Sequence, residues 1–108
     1  MDVTIKRAYE VPESSDGFRV LVDRLWPRGL AKRTARIDLW LKDIAPSTDL
    51  RRWWGHDPQT MDEFATRYRS ELDGNPAVEV VRELIRSHDK VTLVYAAHDT
   101  HVNHARIL

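Results

Sequence analysis

Residues Val3 to Tyr9 are rich in β-formers and alternate apolar with polar positions, which predicts a first strand. A breaker cluster follows at Pro12, Ser14, Ser15, Asp16 and Gly17. Phe18 to Asp23 predicts a second strand, and its Val20-Leu21-Val22 centre, apolar on both faces, requires cover from both sides. Pro27 and Gly29 mark Arg24 to Gly29 as a loop. Ile37 to Ile44 fits two periods at once: Ile37, Leu39 and Leu41 suit a strand, while Ile37, Trp40, Leu41 and Ile44 suit a helix. The strand is preferred. Pro46-Ser47-Thr48-Asp49 offers a helix start, and Gly55 its end. Asp57-Pro58 caps the next helix, whose Met61, Phe64, Ala65, Tyr68 and Leu72 keep helical spacing up to Gly74. Asn75-Pro76 repeats the device before Ala77, Val78, Val81, Leu84 and Ile85. Lys90 to Ala96 predicts a second buried strand, and a polar turn at His98-Asp99 leads into a final helix. Strands alternating with helices predict a single small α/β domain, mainly parallel in its sheet, with helices packed on the sheet faces.

Composition narrows the functional classes. The 108 residues suffice for one domain, and 42% apolar content supports a real core. Seventeen basic residues balance seventeen acidic ones, which argues against a general nucleic-acid or anionic-membrane binder. No apolar run reaches the roughly 18 residues of a membrane span, and the first residues lack a signal-peptide layout, so a cytoplasmic protein is expected. With no cysteine, the chain has no disulfide, thiolate catalyst or sulfur-ligated zinc. A phosphate-cradling glycine loop, a serine nucleophile elbow and the paired-histidine zinc motif are absent too.

The chemistry concentrates where the two apolar strands end. In parallel sheets ligands sit beyond the carboxyl ends of the strands. After the earlier strand, Arg24 and Arg28 could clamp a phosphate or carboxylate with paired N–H donors, helped by backbone at Gly29. The structural alternative is that both arginines pair with Asp23 or Asp38. After the later strand, Asp99 could cap the last helix while Asn103 projects over the same face. His98, His101 and His104 fan too widely for a convergent metal site, so no metal is expected, and His104 is kept as an acid–base candidate. His56 beside Asp57 reads first as a connector whose cap is Asp57. Four tryptophans, Trp26, Trp40, Trp53 and Trp54, lie among arginines and admit a weaker single-strand nucleic-acid reading. As neighbours on a helix, Trp53 and Trp54 cannot both face the core squarely, so one is expected to be partly exposed, either fixing the short helix to the domain or meeting a partner or second copy.

Several of these runs are similar to one family. Val20-Leu-Val-Asp-Arg-Leu-Trp-Pro-Arg-Gly29 resembles the hallmark of the YeaO-like branch of domain of unknown function 488. Asp38 to Ser47, Trp54 to Pro58, Phe64 to Arg69, and Leu93 to Ala97 with Asp99 and Asn103-His104 resemble its later motifs. The likeness spans nearly the whole chain and implies one intact α/β domain without implying a reaction. Other branches carry a Cys-His pair where this chain has Asn103-His104, and a cysteine near Tyr95, so their thiol or metal chemistry is not carried over. Members of the family continue past the last motif, which implies a final helix that is short or frayed here.

The resulting expectation is a small phosphorylated or carboxylated ligand between the two strand-end loops, with no further cofactor. Arg24 and Arg28 would hold the anion, Asp99 and Asn103 would orient it, and hydrolysis or group transfer would be the reaction class of an enzyme here. A non-enzymatic interaction domain or homodimer, favoured by an isoelectric point near 7.0, is the alternative.

Overall fold

A computed structural model describes residues 2–55 and 57–96. Four strands, β1 (Asp2–Arg7), β2 (Phe18–Leu21), β3 (Leu39–Trp40) and β4 (Lys90–Tyr95), form one sheet in the order β1-β4-β2-β3. Every pairing is parallel. Helices α1 (Lys32–Ala35), α2 (Thr48–Trp54), α3 (Met61–Asp73) and α4 (Ala77–Ser87) fill the connections, together with short 3-10 turns. The fold is therefore the expected α/β class with a parallel sheet. The expected final helix lies outside the described residues.

The apolar strands take the centre of the sheet because they can be covered on both faces. On one face Val20, Val22, Val91, Leu93 and Tyr95 meet Ile44 and the apolar stripe of α4. On the other, Leu21 and Val94 meet Ala8, Trp26, Leu30 and Ile37. A separate cluster, Leu50, Trp54, Phe64 and Tyr68, joins α2 to α3, with the Trp54 and Phe64 rings stacked 3.8 Å apart. The expected caps are in place: Ser47 Oγ accepts from the Leu50 amide, Asp57 from Gln59 and Asn75 from Ala77.

Several boundaries differ from expectation, β2 ending at Leu21 rather than Asp23 and β4 at Tyr95 rather than Ala96. β1 stops at Arg7 because a turn takes over there, the Arg7 amide donating to the Glu10 carboxylate and the Arg7 carbonyl accepting from Glu10. Within Ile37 to Ile44, only Leu39–Trp40 pairs as strand; Lys42–Ile44 then turns so that Ile44 can reach the core. Pro58–Thr60 forms a 3-10 turn before α3 proper begins.

The second sheet face becomes polar toward the amino ends of the strands. Arg19 in β2 is buried, and its guanidinium bonds Asp16 at 2.5 Å and the Ala35 carbonyl at 3.1 Å. Lys6 of β1 also reaches Asp16, at 3.2 Å, and Thr92 of β4 donates to the Asp16 carbonyl at 2.6 Å. Gly17 lets this turn lie against the sheet: its φ is +68°, and a Cβ there would collide with the Lys90 carbonyl oxygen.

Removing one member of a buried pair strands the other. Arg19→Met should lower the unfolding free energy by about 3–5 kcal/mol in a urea titration. The same pair fixes the acid limb of stability. Burial opposes ionisation of Asp16, but the Glu13 amide, Lys6 and Arg19 outweigh it and hold the carboxyl below the ordinary carboxylate range. A carboxyl whose pKa falls on folding contributes stability above its unfolded pKa and loses it as pH drops through the folded value. Stability should therefore decline below about pH 4, and Asp16→Asn should remove that part of the decline. A parent urea midpoint that stays flat from about pH 5 to pH 2 would refute the assignment.

Candidate functional site

The adjacency on which the strand-end site depends is present, since β2 and β4 are parallel neighbours and their carboxyl ends open at the same edge. Asp23, just past β2, ties that edge together. One carboxylate oxygen accepts the Ala96 amide beyond β4 at 2.8 Å, and its carbonyl accepts the indole N–H of Trp40 in β3, also at 2.8 Å. The exit of β1 joins through Tyr9, whose hydroxyl donates to the Arg28 carbonyl at 2.9 Å. The Trp26 indole donates to the Leu30 carbonyl at 2.7 Å and closes the Pro27–Gly29 turn, where Gly29 takes φ +78°.

Arg24 and Arg28 leave the same strand end by different routes. Arg24 is half-buried and donates one terminal N–H to the Ala45 carbonyl at 3.3 Å. Its Nε–H is buried with no hydrogen-bond partner among the described residues. Arg28 points to solvent. The alternative of local acid pairing is not what is seen: the ion pairs among the described residues include neither arginine. Asp38, one of the acids considered, accepts the Arg19 amide instead. Asp99, Asn103, His104, the other histidines of that segment and His56 lie outside the described residues. Among the described residues, no group of three or more His, Asp or Glu is placed to hold a metal.

Tyr68 lies near the same strand end, its ionisation influenced by Asp23 and Arg24, and was not foreseen as a site residue. Its hydroxyl donates to the Ile44 carbonyl at 2.6 Å from a fully buried position. Burial first, then the Glu71 and Asp23 carboxylates, push its pKa far above the ordinary phenol value, so it remains a neutral donor. Glu71 in turn accepts both the Ser47 amide, at 2.9 Å, and the Ser47 hydroxyl, at 2.6 Å. In sequence Tyr68 sits on the apolar stripe of α3, and its hydroxyl's reach has no one-dimensional signature.

The adjacent tryptophans divide as helix geometry requires: Trp54 is 3% exposed, and Trp53 is 41% exposed with the Arg67 guanidinium 4.1 Å from its ring. Two grooves lined by described residues lie away from Arg28. One, of about 730 Å³, runs between the end of α3 and α4 over Ile44, Leu72, Val81 and Ile85. The other, of about 380 Å³, lies beside Trp53 and Arg67. No helix among the described residues is long and apolar enough to cross a membrane.

The structure places the chain among parallel α/β proteins, its strand ends cross-tied by Asp23. The chain belongs to the DUF488 family: residues 2–108 match the group described as the inactive DUF488-N3 subclade. It is 43% identical over 106 residues to the uncharacterised protein Rv3073c of Mycobacterium tuberculosis, covering 98% of this chain and 89% of that one. Over 113 residues it is 37% identical to the uncharacterised protein YeaO of Escherichia coli, covering 100% and 94% of the two chains. The YeaO-like resemblance is thus established. No solved structure matches the chain.

Because Asp23 caps the Ala96 amide, Asp23→Ala should leave that donor unpaired and loosen the β2–β4 exit. The expected cost is about 1–3 kcal/mol, with faster amide exchange at Ala96. Unchanged exchange at Ala96 would show that the carboxylate does not hold the strand end.

Proposed function

We propose that this protein binds a small anion, phosphorylated or carboxylated, at the carboxyl edge of the sheet, and does so in the cytoplasm without turning the ligand over. The observation that carries the reading is the buried Nε–H of Arg24, which, like that of the ion-paired Arg19, lacks a partner among the described residues but lies where the strands end. An unmet buried donor on a cation costs more than the roughly 1–3 kcal/mol of a neutral one, and an anion's oxygen is a strong acceptor for it. Arg28, exposed four residues further along the same loop, would supply a second guanidinium. Asp99 and Asn103 would orient the ligand from the far loop, and His104 would be its acid–base group were there a reaction. Hydrolysis or group transfer is not favoured, because the matching group is described as inactive and the chain has no cysteine.

The probe set is inorganic phosphate, a sugar phosphate, a nucleoside monophosphate and a dicarboxylate, compared at constant ionic strength. A ligand at about 100 times its Kd adds roughly 2.7 kcal/mol, which raises the melting temperature by several degrees or more. The shift should vanish in Arg28→Ala. An equal shift in Arg28→Ala, or none with any probe, would overturn the site.

A second reading, a protein-interaction surface, is favoured by the exposure of Trp53 beside its groove. It requires that acrylamide quench Trp53 fluorescence in the free protein and that a partner or second copy protect it. Sedimentation as a strict monomer, with quenching unchanged on concentration, would remove the homodimer form of that reading.

A further inference from the structure

Overall neutrality conceals a local excess of positive charge. Residues 24–42 contain six basic side chains and one acid, Asp38, although the whole chain sums to zero. Asp23 and Asp43 flank the segment, and the Asp23 carboxylate is turned to the Ala96 amide. Arg24 is drawn inward, whereas Arg28, Lys32, Arg33, Arg36 and Lys42 are all exposed. None of these five takes part in an ion pair among the described residues.

Aromatic contacts arrange part of this charge along the β3 edge of the sheet. The Lys32 ammonium lies 5.9 Å from the Trp26 ring, Trp26 meets Trp40 edge-on at 5.6 Å, and the Lys42 ammonium lies 5.2 Å from the Trp40 ring. Two tryptophans therefore bridge two cations in a continuous row, and Trp40 is 37% exposed. Arg33 lies in α1 next to Lys32, and Arg36 at the helix's end, both exposed. Arg36 has φ 51° and ψ 44°, the left-handed conformation that is strained for a non-glycine residue. An exposed arginine thus occupies a position where glycine would be the more stable choice.

We infer that this edge is a docking surface for single-stranded nucleic acid, with phosphates on Lys32, Arg33, Arg36 and Lys42 and a base against Trp40. Cations interleaved with aromatic rings suit that partner: phosphate charge gives sequence-independent attraction, and indole and guanidinium planes accept any base. An acidic protein segment would use the cations and leave the rings without a role. The inference is independent of the small-anion reading, since Arg24 takes no part in it.

The test is fluorescence anisotropy of the full chain with labelled oligodeoxythymidylate of about 15 nucleotides. Affinity should fall as salt rises from about 50 to 200 mM. Arg36→Gly should keep or raise the melting temperature while weakening binding about 3- to 10-fold and reducing the salt slope by roughly 0.7. Lys42→Ala should behave similarly, and Trp40→Ala should weaken binding about fivefold or more. Arg86→Ala, on α4, should bind like the parent. No binding at about 50 mM salt, or parent-like binding by Arg36→Gly and Lys42→Ala, would overturn the inference. Tighter binding to polyglutamate than to the oligonucleotide would do the same and assign the edge to an acidic protein. Any phosphate-induced thermal shift should survive in Arg36→Gly, so the two sites fail separately.

Discussion

The buried guanidinium of Arg19 holds together segments far apart in the chain, and the rest of the sheet depends on it. From β2 it reaches the Asp16 carboxylate in the turn before the strand and the Ala35 carbonyl at the end of α1. The backbone of the same residue exchanges bonds with Asp38: its amide donates to the Asp38 carboxylate, and its carbonyl accepts the Asp38 amide. Lys6 and Thr92 bring β1 and β4 to the same acid. A purely apolar face of this size would tolerate sliding of its strands, whereas directional bonds from three strands to one turn specify one register. The pair contributes less than its Coulomb attraction suggests, because both charges are desolvated; its consequence is specificity and the high cost of losing one member.

At the opposite end of the strands, Asp23 does comparable work with a single carboxylate and a single carbonyl. Through Ala96 and Trp40 it fixes where β4 and β3 leave the sheet relative to β2. The α2–α3 pair is then attached by side chains that reach backbone carbonyls, Tyr68 to Ile44 and Asn75 to Asp43. Helices bound in this way depend little on sheet packing, which accounts for their own cluster around Trp54 and Phe64. The strand exits of the candidate site are thus tied to one another through Asp23, and Arg24 is turned inward to the Ala45 carbonyl.

What was legible in the sequence follows from which features are local. Val20-Leu21-Val22 and Val91 to Tyr95 announced central strands because they are apolar without alternation, and Ser47, Asp57 and Asn75 announced helix starts by their capping chemistry. Ile37 to Ile44 resisted assignment because it serves two purposes, Leu39 pairing with Val20 while Ile44 enters the core from a turn. The four residues of α1 have no apolar stripe to betray them. Arg19 reads as a solvent-facing residue in a strand; only the fold reveals that Asp16 has folded under the sheet to meet it. For the candidate site, Arg24 and Arg28 are singled out by their place after a strand, but the inward turn of Arg24 depends on Ala45, twenty-one residues away. Asp99, Asn103 and His104 lie outside the described residues and rest on the sequence reasoning alone.

Net charge was the least informative property of this chain, for a physical reason. Electrostatic attraction in physiological salt acts over about 8 Å, so a distant acid on α3 or α4 does little to offset a cation at the β3 edge. Summing over 108 residues mixes charges that a ligand meets separately. Several of the acids are also already occupied: Glu79 and Glu83 pair with Arg82 and Arg86 on their own helix. The exposed cations of residues 24–42 have no such partners among the described residues, so their field extends into solvent and over the neighbouring strand ends. A positive strip of this kind raises the local concentration of any phosphate-bearing molecule that approaches it.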